Sequence, residues 1–291
     1  MRARIAILSG DGIGPEVIGR AVASIPAEYE LTFVDAGAER YLRTGEILTS
    51  RDLEAVENSD AVLLGAVGDP RVPDGLLERG ILLRLRKELD LYINLRPIPE
   101  LGIVIVRENT EGLYSGVGER HATRALEVSV NTKAAIERCA RYAFVLAATR
   151  SGRLTLVHKT NVLTHAGGLW FDSVSRVGTE YLDVELSYEH ADAAAYHLVR
   201  DPKRYDVLLT DNLFGDLLSD VAAGVAGGLG KAASANLHPD PTTRPSRCIG
   251  LFEPVHGSAP DIAGRHLANP TAAIRAVEMM TDALTREMSH T

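Results

Sequence analysis

Two aspartates stand four residues apart in a segment that is otherwise mostly apolar. They are Asp216 and Asp220, in the run FGDLLSD that follows leucines at 208, 209 and 213. Side chains at this spacing lie on one face of a helix, and two like charges there repel each other unless a cation lies between them. A solvated helix face is the alternative. The apolar neighbours favour a site for a hard divalent ion, Mg²⁺ or Mn²⁺, with room for substrate oxygens.

Three arginines form the second candidate group. Arg96 and Arg107 each end an apolar strand-like run, and Arg86 lies near the end of a helix-like one. Side chains at strand ends line ligand sites in α/β folds. Most surface arginines are only solvated, but three at such positions favour bidentate binding of carboxylates.

A single lysine, Lys159, closes the apolar run 154–157. A lysine at such a boundary is often just a surface residue. In a cleft beside a cation its pKa would fall, which suits it to act as a general base.

Two further segments are rich in turn-forming residues. The segment 252–264, FEPVHGSAPDIAG, followed by ANP at 268–270, mixes His, Ser and Asp in the manner of an ordered loop that surrounds a ligand. The segment 10–16, GDGIGPE, follows a predicted strand and opens a predicted helix. Its spacing departs from the Rossmann fingerprint, and Asp35 is weak support for a ribose-binding acid.

The elements that position these residues alternate along the chain. Short runs rich in Val, Ile and Leu predict strands, and amphipathic stretches between them predict helices, which together indicate an α/β fold with strands covered on both faces. The predicted strands are 4–8, 31–35, 61–67, 102–107, 154–158, 184–188, 206–210 and 249–253. The predicted helices are 15–25, 76–89, 132–149, 166–180, 192–199, 215–226 and 270–288.

Two segments fall outside this alternation. The Gly- and Ala-rich stretch 224–240 predicts a loop. Residues 113–130 predict a hairpin-like arm, either paired with another chain or lying on the surface of its own.

Length and composition exclude several classes of protein. The 291 residues are 45% hydrophobic and 24% charged, as in an ordinary globular protein of one large or two modest domains. A net charge of −8 without a basic tract disfavours nucleic-acid binding. No apolar stretch is long enough for a membrane span or a signal peptide. The two cysteines form no metal or redox motif, so we expect buried thiols and a cytoplasmic protein.

Taken in order, these motifs resemble those of the β-decarboxylating dehydrogenases, which act on 3-isopropylmalate, isocitrate, homoisocitrate or tartrate. The resemblance runs from Ile5 to about Ile274 and is carried by GDGIGPE, NLRP, FGDLLSD and EPVHGSAPDIAG. Within the family, the segment 76–86, LLERGILLRLR, is most similar to the 3-isopropylmalate dehydrogenases.

The resemblance implies the two-domain α/β fold of isocitrate and isopropylmalate dehydrogenases, which is distinct from the Rossmann fold. It implies a cofactor-binding domain of residues 1–96 plus 249–291 and a domain of residues 97–248 for substrate, metal and dimerisation. It also implies a homodimer with shared active sites, in which the arm at 113–130 is exchanged. No nucleic acid or membrane is expected as a partner.

The resemblance further implies a role for each candidate residue. Residues expected to bind the substituted malate are Arg86, Arg96, Arg107, Leu82 and Leu83. Residues expected to bind Mg²⁺ or Mn²⁺ are Asp216 and Asp220, with Asp192 from the partner subunit. Residues expected to bind NAD are Glu253, His256, Gly257, Ser258, Ala259, Asp261 and Asn269. Lys159 of the partner would take the hydroxyl proton, and Tyr114 would protonate the enol.

The expected reaction is NAD-dependent oxidative decarboxylation of a malate that carries a substituent at carbon 3, with 3-isopropylmalate in leucine biosynthesis as the first candidate. The apolar residues of 80–83 favour an alkyl substituent. Arg79 and Arg84 nearby, and ENTEG at 108–112, leave homoisocitrate, tartrate and malate as alternatives. A shortened, non-catalytic subunit is a further alternative, although such a subunit is expected to lack the catalytic residues present here.

Three departures from the family pattern accompany the resemblance. The link at 97–102 is shorter than usual, relatives continue beyond the helix at 270–288, and Arg275 stands at a usually apolar position. We expect these differences to affect stability and the packing of the cofactor-binding domain, and not the residues assigned to chemistry.

Overall fold

Twelve strands and ten helices occur in residues 2–290, the part of the chain that the computed structural model describes. The strands are β1 (Arg4–Leu8), β2 (Glu30–Phe33), β3 (Ala61–Leu64), β4 (Ile93–Ile98), β5 (Ile103–Glu108), β6 (Gly118–Arg120), β7 (Ala125–Glu127), β8 (Arg153–His158), β9 (Glu185–His190), β10 (Val207–Thr210), β11 (Ala233–Leu237) and β12 (Gly250–Pro254). The helices are α1 (Gly14–Val22), α2 (Ala38–Thr44), α3 (Ser50–Glu57), α4 (Leu76–Glu78), α5 (Arg84–Glu88), α6 (Lys133–Ala148), α7 (Thr164–Gly178), α8 (Ala191–Arg200), α9 (Asn212–Val225) and α10 (Thr271–His290).

The chain folds into two compact units. The first comprises the residues up to Leu91 and those from Gly228 onward, and the second is Tyr92–Gly227. The predicted boundaries, after residue 96 and after residue 248, lie further along the chain than these. Which unit binds cofactor and which binds substrate stays a prediction.

The first unit is built on strands in the order β2, β1, β3, β12, β11. β1 runs parallel to β2 and β3, β3 runs parallel to β12, and β11 is antiparallel to β12. Strands β1 and β3 are almost entirely apolar and buried, as expected for parallel strands covered on both faces. A π-helical turn, Arg79–Leu83, joins α4 directly to α5 and places Ile81 and Leu85 in the core of this unit.

The second unit is built on strands in the order β4, β5, β10, β8, β9. β5, β10, β8 and β9 are parallel, so their carboxyl ends share one edge of the sheet. β4 is antiparallel to β5. Helices α8 and α9 pack against the strands through an apolar cluster that includes Ile105, Leu198, Leu208 and Leu218. This unit therefore presents the ends of four strands and the starts of the following helices together.

The predicted loop at 224–240 is wrong in part, because β11 (Ala233–Leu237) lies within it. Its residues, ASANL, are mostly small or polar and give no strand signal in the sequence. They are buried because β11 pairs with β12 along its whole length. Helices α2 and α3 and strand β4 were also absent from the predicted elements.

The short link at 97–102 forms a compact turn. One turn of 3₁₀-helix, Pro99–Leu101, and Gly102 with φ 72° connect β4 to β5 as an antiparallel hairpin. Ile98 pairs with Ile103 at its end, so the hairpin is continuous up to the turn. Arg275, the unusual residue in α10, donates a hydrogen bond to the carbonyl of Lys231 at 2.8 Å.

The predicted arm at 113–130 contains β6 and β7, which form a two-stranded antiparallel hairpin. Almost all of it is exposed, including the apolar side chains of Val117, Leu126 and Val128. Both cysteines are buried thiols, as predicted. In residues 2–290, no helix is both long and apolar enough to cross a lipid bilayer.

Candidate functional site

The second unit brings two of the predicted arginines and both paired aspartates into one charged cluster. Arg96 lies on β4, Arg107 on β5, and Asp216 and Asp220 on α9. Asp216 Oδ1 accepts from Arg96 Nη2 at 3.1 Å and from the Nη1 of Arg107, while Arg96 Nη1 lies 3.4 Å from Asp220 Oδ1. Residues more than 100 positions apart in sequence therefore converge on one carboxylate.

Local sequence explains how α9 reaches these arginines. The carboxylate of Asp211 caps the helix by accepting from the backbone N–H of Phe214 at 2.8 Å. Gly215 has no side chain, and a Cβ there would lie 2.6 Å from Cγ of Arg107. The glycine therefore lets the arginine stem lie against the first turn of the helix.

Buried amides and hydroxyls hold the two guanidinium groups in place. Asn212 Oδ1 accepts from Nε and Nη2 of Arg107 at 2.9 and 2.6 Å. Arg96 donates to Asn94 Oδ1 at 2.7 Å and to Ser219 Oγ at 2.6 Å. These hydrogen bonds fix the directions of both arginines, since each donor atom has a defined acceptor.

Tyr114 joins the same cluster. Its hydroxyl donates to Asp216 Oδ2 at 2.7 Å, and its ring lies 5.1 Å from Cζ of Arg107. Tyr114, the predicted proton donor, thus lies beside Asp216, the predicted metal ligand. Nothing in the sequence around Tyr114 indicates that the two residues meet.

The cluster has the chemistry of a divalent-cation site. Its two carboxylates lie on one helix face and remain 34% and 51% exposed, so neither is fully enclosed by its partners in the protein. Burial raises the pKa of Asp220, the nearby Arg96 counteracts this, and the charge of Asp216 adds to the rise. Within residues 2–290, no three His, Cys, Asp or Glu side chains are grouped so that they could hold a metal ion.

Lys159 and Asp192 form a second charged group in the same unit. Lys159 follows β8 and Asp192 lies in the first turn of α8, and their Nζ and Oδ1 atoms are 2.6 Å apart. The carboxylate of Asp192 is 70% exposed, and hydrogen bonding from Lys159 lowers its pKa. The structure therefore joins the predicted general base to the predicted third metal ligand.

A buried pair that carries no motif in the sequence lies in the same unit. His158 is fully buried, and its Nε2 lies 3.5 Å from Oδ2 of Asp211. Burial lowers the pKa of His158 to about 4 and raises that of Asp211 to about 6. At neutral pH the histidine is therefore uncharged. It packs against the rings of Trp170 and Phe214 as an aromatic side chain.

In the first unit, Arg86 and Glu253 lie in a buried polar network. Arg86 Nη2 is 3.4 Å from Glu253 Oε1, which also accepts from Asn236 Nδ2 at 2.8 Å and Ser234 Oγ at 3.3 Å. Asn236 and Ser234 lie on β11, the strand that sequence analysis missed. The network holds the carboxylate of Glu253 in place and gives Nη2 of Arg86 an acceptor.

The predicted cofactor loop rests on the glycine-rich segment after β1. The backbone N–H of Ile13 donates to the carbonyl of Ser258 at 2.8 Å. Gly12 has φ 57°, and a Cβ there would lie 2.0 Å from that carbonyl, so the close approach requires glycine. Asp261 is exposed, and Asn269 caps α10 by accepting from the N–H of Thr271 at 3.0 Å.

The remaining residues of this loop lie at its start. His256 Nδ1 is 3.1 Å from the carbonyl of Gly257, and its Nε2 is buried with no hydrogen-bond partner. Ala259 has a positive φ of 39°. Within the described residues, this nitrogen of His256 is therefore a buried polar atom whose hydrogen-bonding capacity is unused.

The residues expected to contact the substituent of the substrate lie in the π-helical turn. Leu82 and Leu83 are half-buried, and Leu82 packs against the core of the first unit. Arg84 Nη1 donates to the carbonyl of Leu48 at 2.7 Å, and Arg79 Nη2 lies 3.4 Å from the carbonyl of Asp74. Both arginines are therefore bound to backbone of their own unit.

We predict that Asp216→Ala destabilises the protein far more than Asp220→Ala. Removing Asp216 leaves the buried Arg107 without its counter-ion, at a cost of about 2–3 kcal/mol because the lost carboxylate is partly exposed. The Asp220 contact is longer and half-exposed, so its loss costs under about 1 kcal/mol. Urea unfolding without added divalent cations measures both. Equal losses would contradict the central role given to Asp216.

Comparisons with known proteins identify the family to which the chain belongs. The model of the isocitrate/isopropylmalate dehydrogenase family matches residues 4–289. The 3-isopropylmalate dehydrogenase of Mycobacterium sp. (strain KMS) is 53% identical over 95% of this chain and 87% of its own. That of Nocardia farcinica is 50% identical over 97% and 89%.

Solved structures agree with the sequence comparisons. The isocitrate dehydrogenase from Methylococcus capsulatus matches with a TM-score of 0.86 at 37% identity, over 98% of this chain and 86% of its own. The β-decarboxylating dehydrogenase from Thermococcus kodakarensis matches with a TM-score of 0.80 at 42% identity, over 98% and 84%. The predicted α/β fold class is confirmed, while a dimer-forming role of the arm at 113–130 stays a prediction, and the chain belongs to the isocitrate/isopropylmalate dehydrogenase family of oxidoreductases.

Proposed function

We propose that the protein catalyses the NAD⁺-dependent oxidative decarboxylation of 3-isopropylmalate to 4-methyl-2-oxopentanoate and CO₂, a step of leucine biosynthesis. One observation carries the proposal. Relatives 50–53% identical to this chain are named 3-isopropylmalate dehydrogenases, and the chain holds Arg96, Arg107, Tyr114, Asp216 and Asp220 together in one cluster.

The charges of the cluster suit a malate and a divalent cation that bind together. Asp216 and Asp220, with Asp192 of a second subunit, would hold Mg²⁺ or Mn²⁺. Arg96 and Arg107, held in their present directions by Asn94 and Asn212, would donate to the carboxylates of the substrate. Arg86 is proposed as the third arginine. The cation and the substrate would together balance the charges of the aspartates and the arginines.

Two residues would move protons. A bound NAD⁺ would supply the hydride acceptor for the oxidation, and a bound Mg²⁺ or Mn²⁺ held by the aspartates would supply a Lewis acid. Lys159 takes the proton of the substrate hydroxyl as the carbonyl forms. After CO₂ leaves, Tyr114 donates its hydroxyl proton to carbon 3 of the resulting enolate, which gives the 2-oxo acid and leaves the tyrosine as phenolate.

A homodimer would complete the site. Lys159 and Asp192 already contact each other on β8 and α8, so one subunit can present both to its partner as a unit. The exposed apolar residues of the arm at 113–130 favour pairing of β6 and β7 with a second copy, because a lone two-stranded hairpin is only marginally stable. We therefore propose two shared active sites per dimer.

The contacts of Arg79 and Arg84 support an alkyl substituent on carbon 3. Arg84 donates to the carbonyl of Leu48 at 2.7 Å, and Arg79 Nη2 lies 3.4 Å from the carbonyl of Asp74, so each has a backbone partner in its own unit. Leu83 in the π-helical turn offers an apolar contact instead. Homoisocitrate, tartrate and malate remain alternative substrates, and a non-catalytic subunit remains an alternative function. A comparison of kcat/KM values across these substrates separates the possibilities.

We predict that kcat/KM with NAD⁺ and Mn²⁺ is highest for 3-isopropylmalate when it is compared with homoisocitrate, isocitrate, tartrate and D-malate. Burial of the isopropyl group contributes about 1–3 kcal/mol, or roughly 5- to 150-fold over D-malate. In Leu83→Ala, that advantage should shrink while the rate with D-malate, which lacks the group, serves as internal control. A tricarboxylate ranking above 3-isopropylmalate would overturn the substrate assignment. Inactivity with every substrate would favour the non-catalytic subunit.

We predict a preference for NAD⁺ over NADP⁺ that depends on Asp261. An exposed carboxylate accepts hydrogen bonds from a ribose 2′-hydroxyl and repels a 2′-phosphate. In Asp261→Ala, the ratio of kcat/KM for the two cofactors should fall about tenfold, whereas in Asp240→Ala, a control in another loop of the same unit, it should not change. Equal kcat/KM values for the two cofactors in the wild type would refute this role.

A further inference from the structure

We propose that Tyr188 is a positioning residue that fixes the backbone on both sides of Lys159 and links it to the segment that carries Asp192. The inference rests on the proposed function in one respect, which is that Lys159 accepts the substrate proton. Neither sequence motifs nor the predicted site residues include Tyr188.

The tyrosine hydroxyl lies among four polar atoms. It accepts from the backbone N–H of Thr160 at 3.1 Å and donates to the carbonyl of His158 at 3.0 Å. Oγ1 of Thr160 lies 3.0 Å away, and Nδ1 of His190 lies 2.8 Å away. The first two contacts hold the peptide groups immediately before and after Lys159.

The hydrogen bonds that a hydroxyl can make are all satisfied by the partners around Tyr188. It has one O–H to donate and two lone pairs to accept with. The O–H is used by the carbonyl of His158, one lone pair by the N–H of Thr160, and the second by the threonine hydroxyl or by an N–H of His190. Every site on the oxygen therefore has a partner.

The position of Lys159 in the sheet explains why such a support is needed. The parallel pairing of β8 with β9 ends at His158 and His190, one residue before Lys159. Its own carbonyl accepts from the N–H groups of Val162 and Leu163 at 3.1 and 2.8 Å, which starts a turn. The hydroxyl of Tyr188, on β9, hydrogen-bonds the backbone N–H of Thr160 and so connects β9 to the chain beyond the end of β8.

The same hydroxyl reaches the other half of the charged pair. His190 is the last residue of β9, and Asp192 follows it by two positions in the first turn of α8. One oxygen atom thus connects the backbone of Lys159 to the strand end that leads into Asp192. The 2.6 Å contact between the amine and the carboxylate depends on both being held.

Replacement of the tyrosine by phenylalanine isolates the hydroxyl. The Tyr188 ring packs edge-on against Phe171 at 5.7 Å and His190 at 5.3 Å, and Tyr188→Phe keeps both contacts. Tyr205→Phe is a matched control, because it removes a half-buried hydroxyl that donates to Glu189, on the same strand β9. That hydroxyl touches neither neighbour of Lys159.

The experiment measures hydrogen exchange and kinetics on the same full-length variants. In Tyr188→Phe, we expect faster amide exchange at Thr160, and kcat for 3-isopropylmalate lower by about 10- to 100-fold with KM nearly unchanged, since a displaced catalytic group slows chemistry more than binding. In Tyr205→Phe, exchange at Thr160 and kcat should both stay at the wild-type level.

Unchanged exchange at Thr160, or faster exchange with an unchanged kcat, would overturn the positioning role while leaving the proposed function intact. An equal fall of kcat in both variants would assign the effect to general loosening of β9 and overturn it too. A wild-type protein that turns over no substituted malate would instead overturn the proposed function, and with it the kinetic role of Tyr188.

Discussion

The convergence of two guanidinium groups on the carboxylate of Asp216 is the constraint on which the rest of the second unit depends. Arg107 is 1% exposed in its side chain, so it needs a counter-ion that stays in place. The hairpin of β4 and β5 brings the two arginines side by side, and Gly215 and the Asp211 cap bring α9 to them. A change in any of these elements would separate the charges.

This arrangement also prepares the site for ligands. A carboxylate shared by two arginines is a stand-in for the carboxylates of a malate, since both are planar acceptors of paired N–H donors. Lys159 and Asp192 likewise keep each other paired, with Nζ and Oδ1 2.6 Å apart.

Much of the fold was predictable from local sequence, and the exceptions have physical causes. Apolar runs identified strands such as β1, β5 and β10 because strands covered on both faces need continuous apolar residues. β11 was missed because its small and polar residues are buried only through pairing with β12, a long-range effect. The four-residue spacing of Asp216 and Asp220 predicted a shared face, which α9 provides.

The connections within the candidate site were less accessible. Spacing in the sequence could not show that Tyr114 meets Asp216, because that contact joins residues 102 positions apart. His158 and Tyr188 were missed because each sits in an ordinary strand pattern and acts through the neighbours that folding gives it. The predicted ligand-binding residues lie in recognisable sequence motifs, whereas residues that support them from behind are identified only by their contacts in the folded structure.

The most direct test of the proposed cation site in the charged cluster is to measure Mn²⁺ binding by electron paramagnetic resonance in the presence of 3-isopropylmalate. Asp172→Asn, which changes an exposed aspartate on α7, should bind Mn²⁺ as the wild type does. Asp216→Asn and Asp220→Asn should each weaken binding about tenfold or more, because each removes a charged oxygen ligand from the same ion. Mn²⁺ binding of equal strength in all four proteins would contradict the assignment of this cluster.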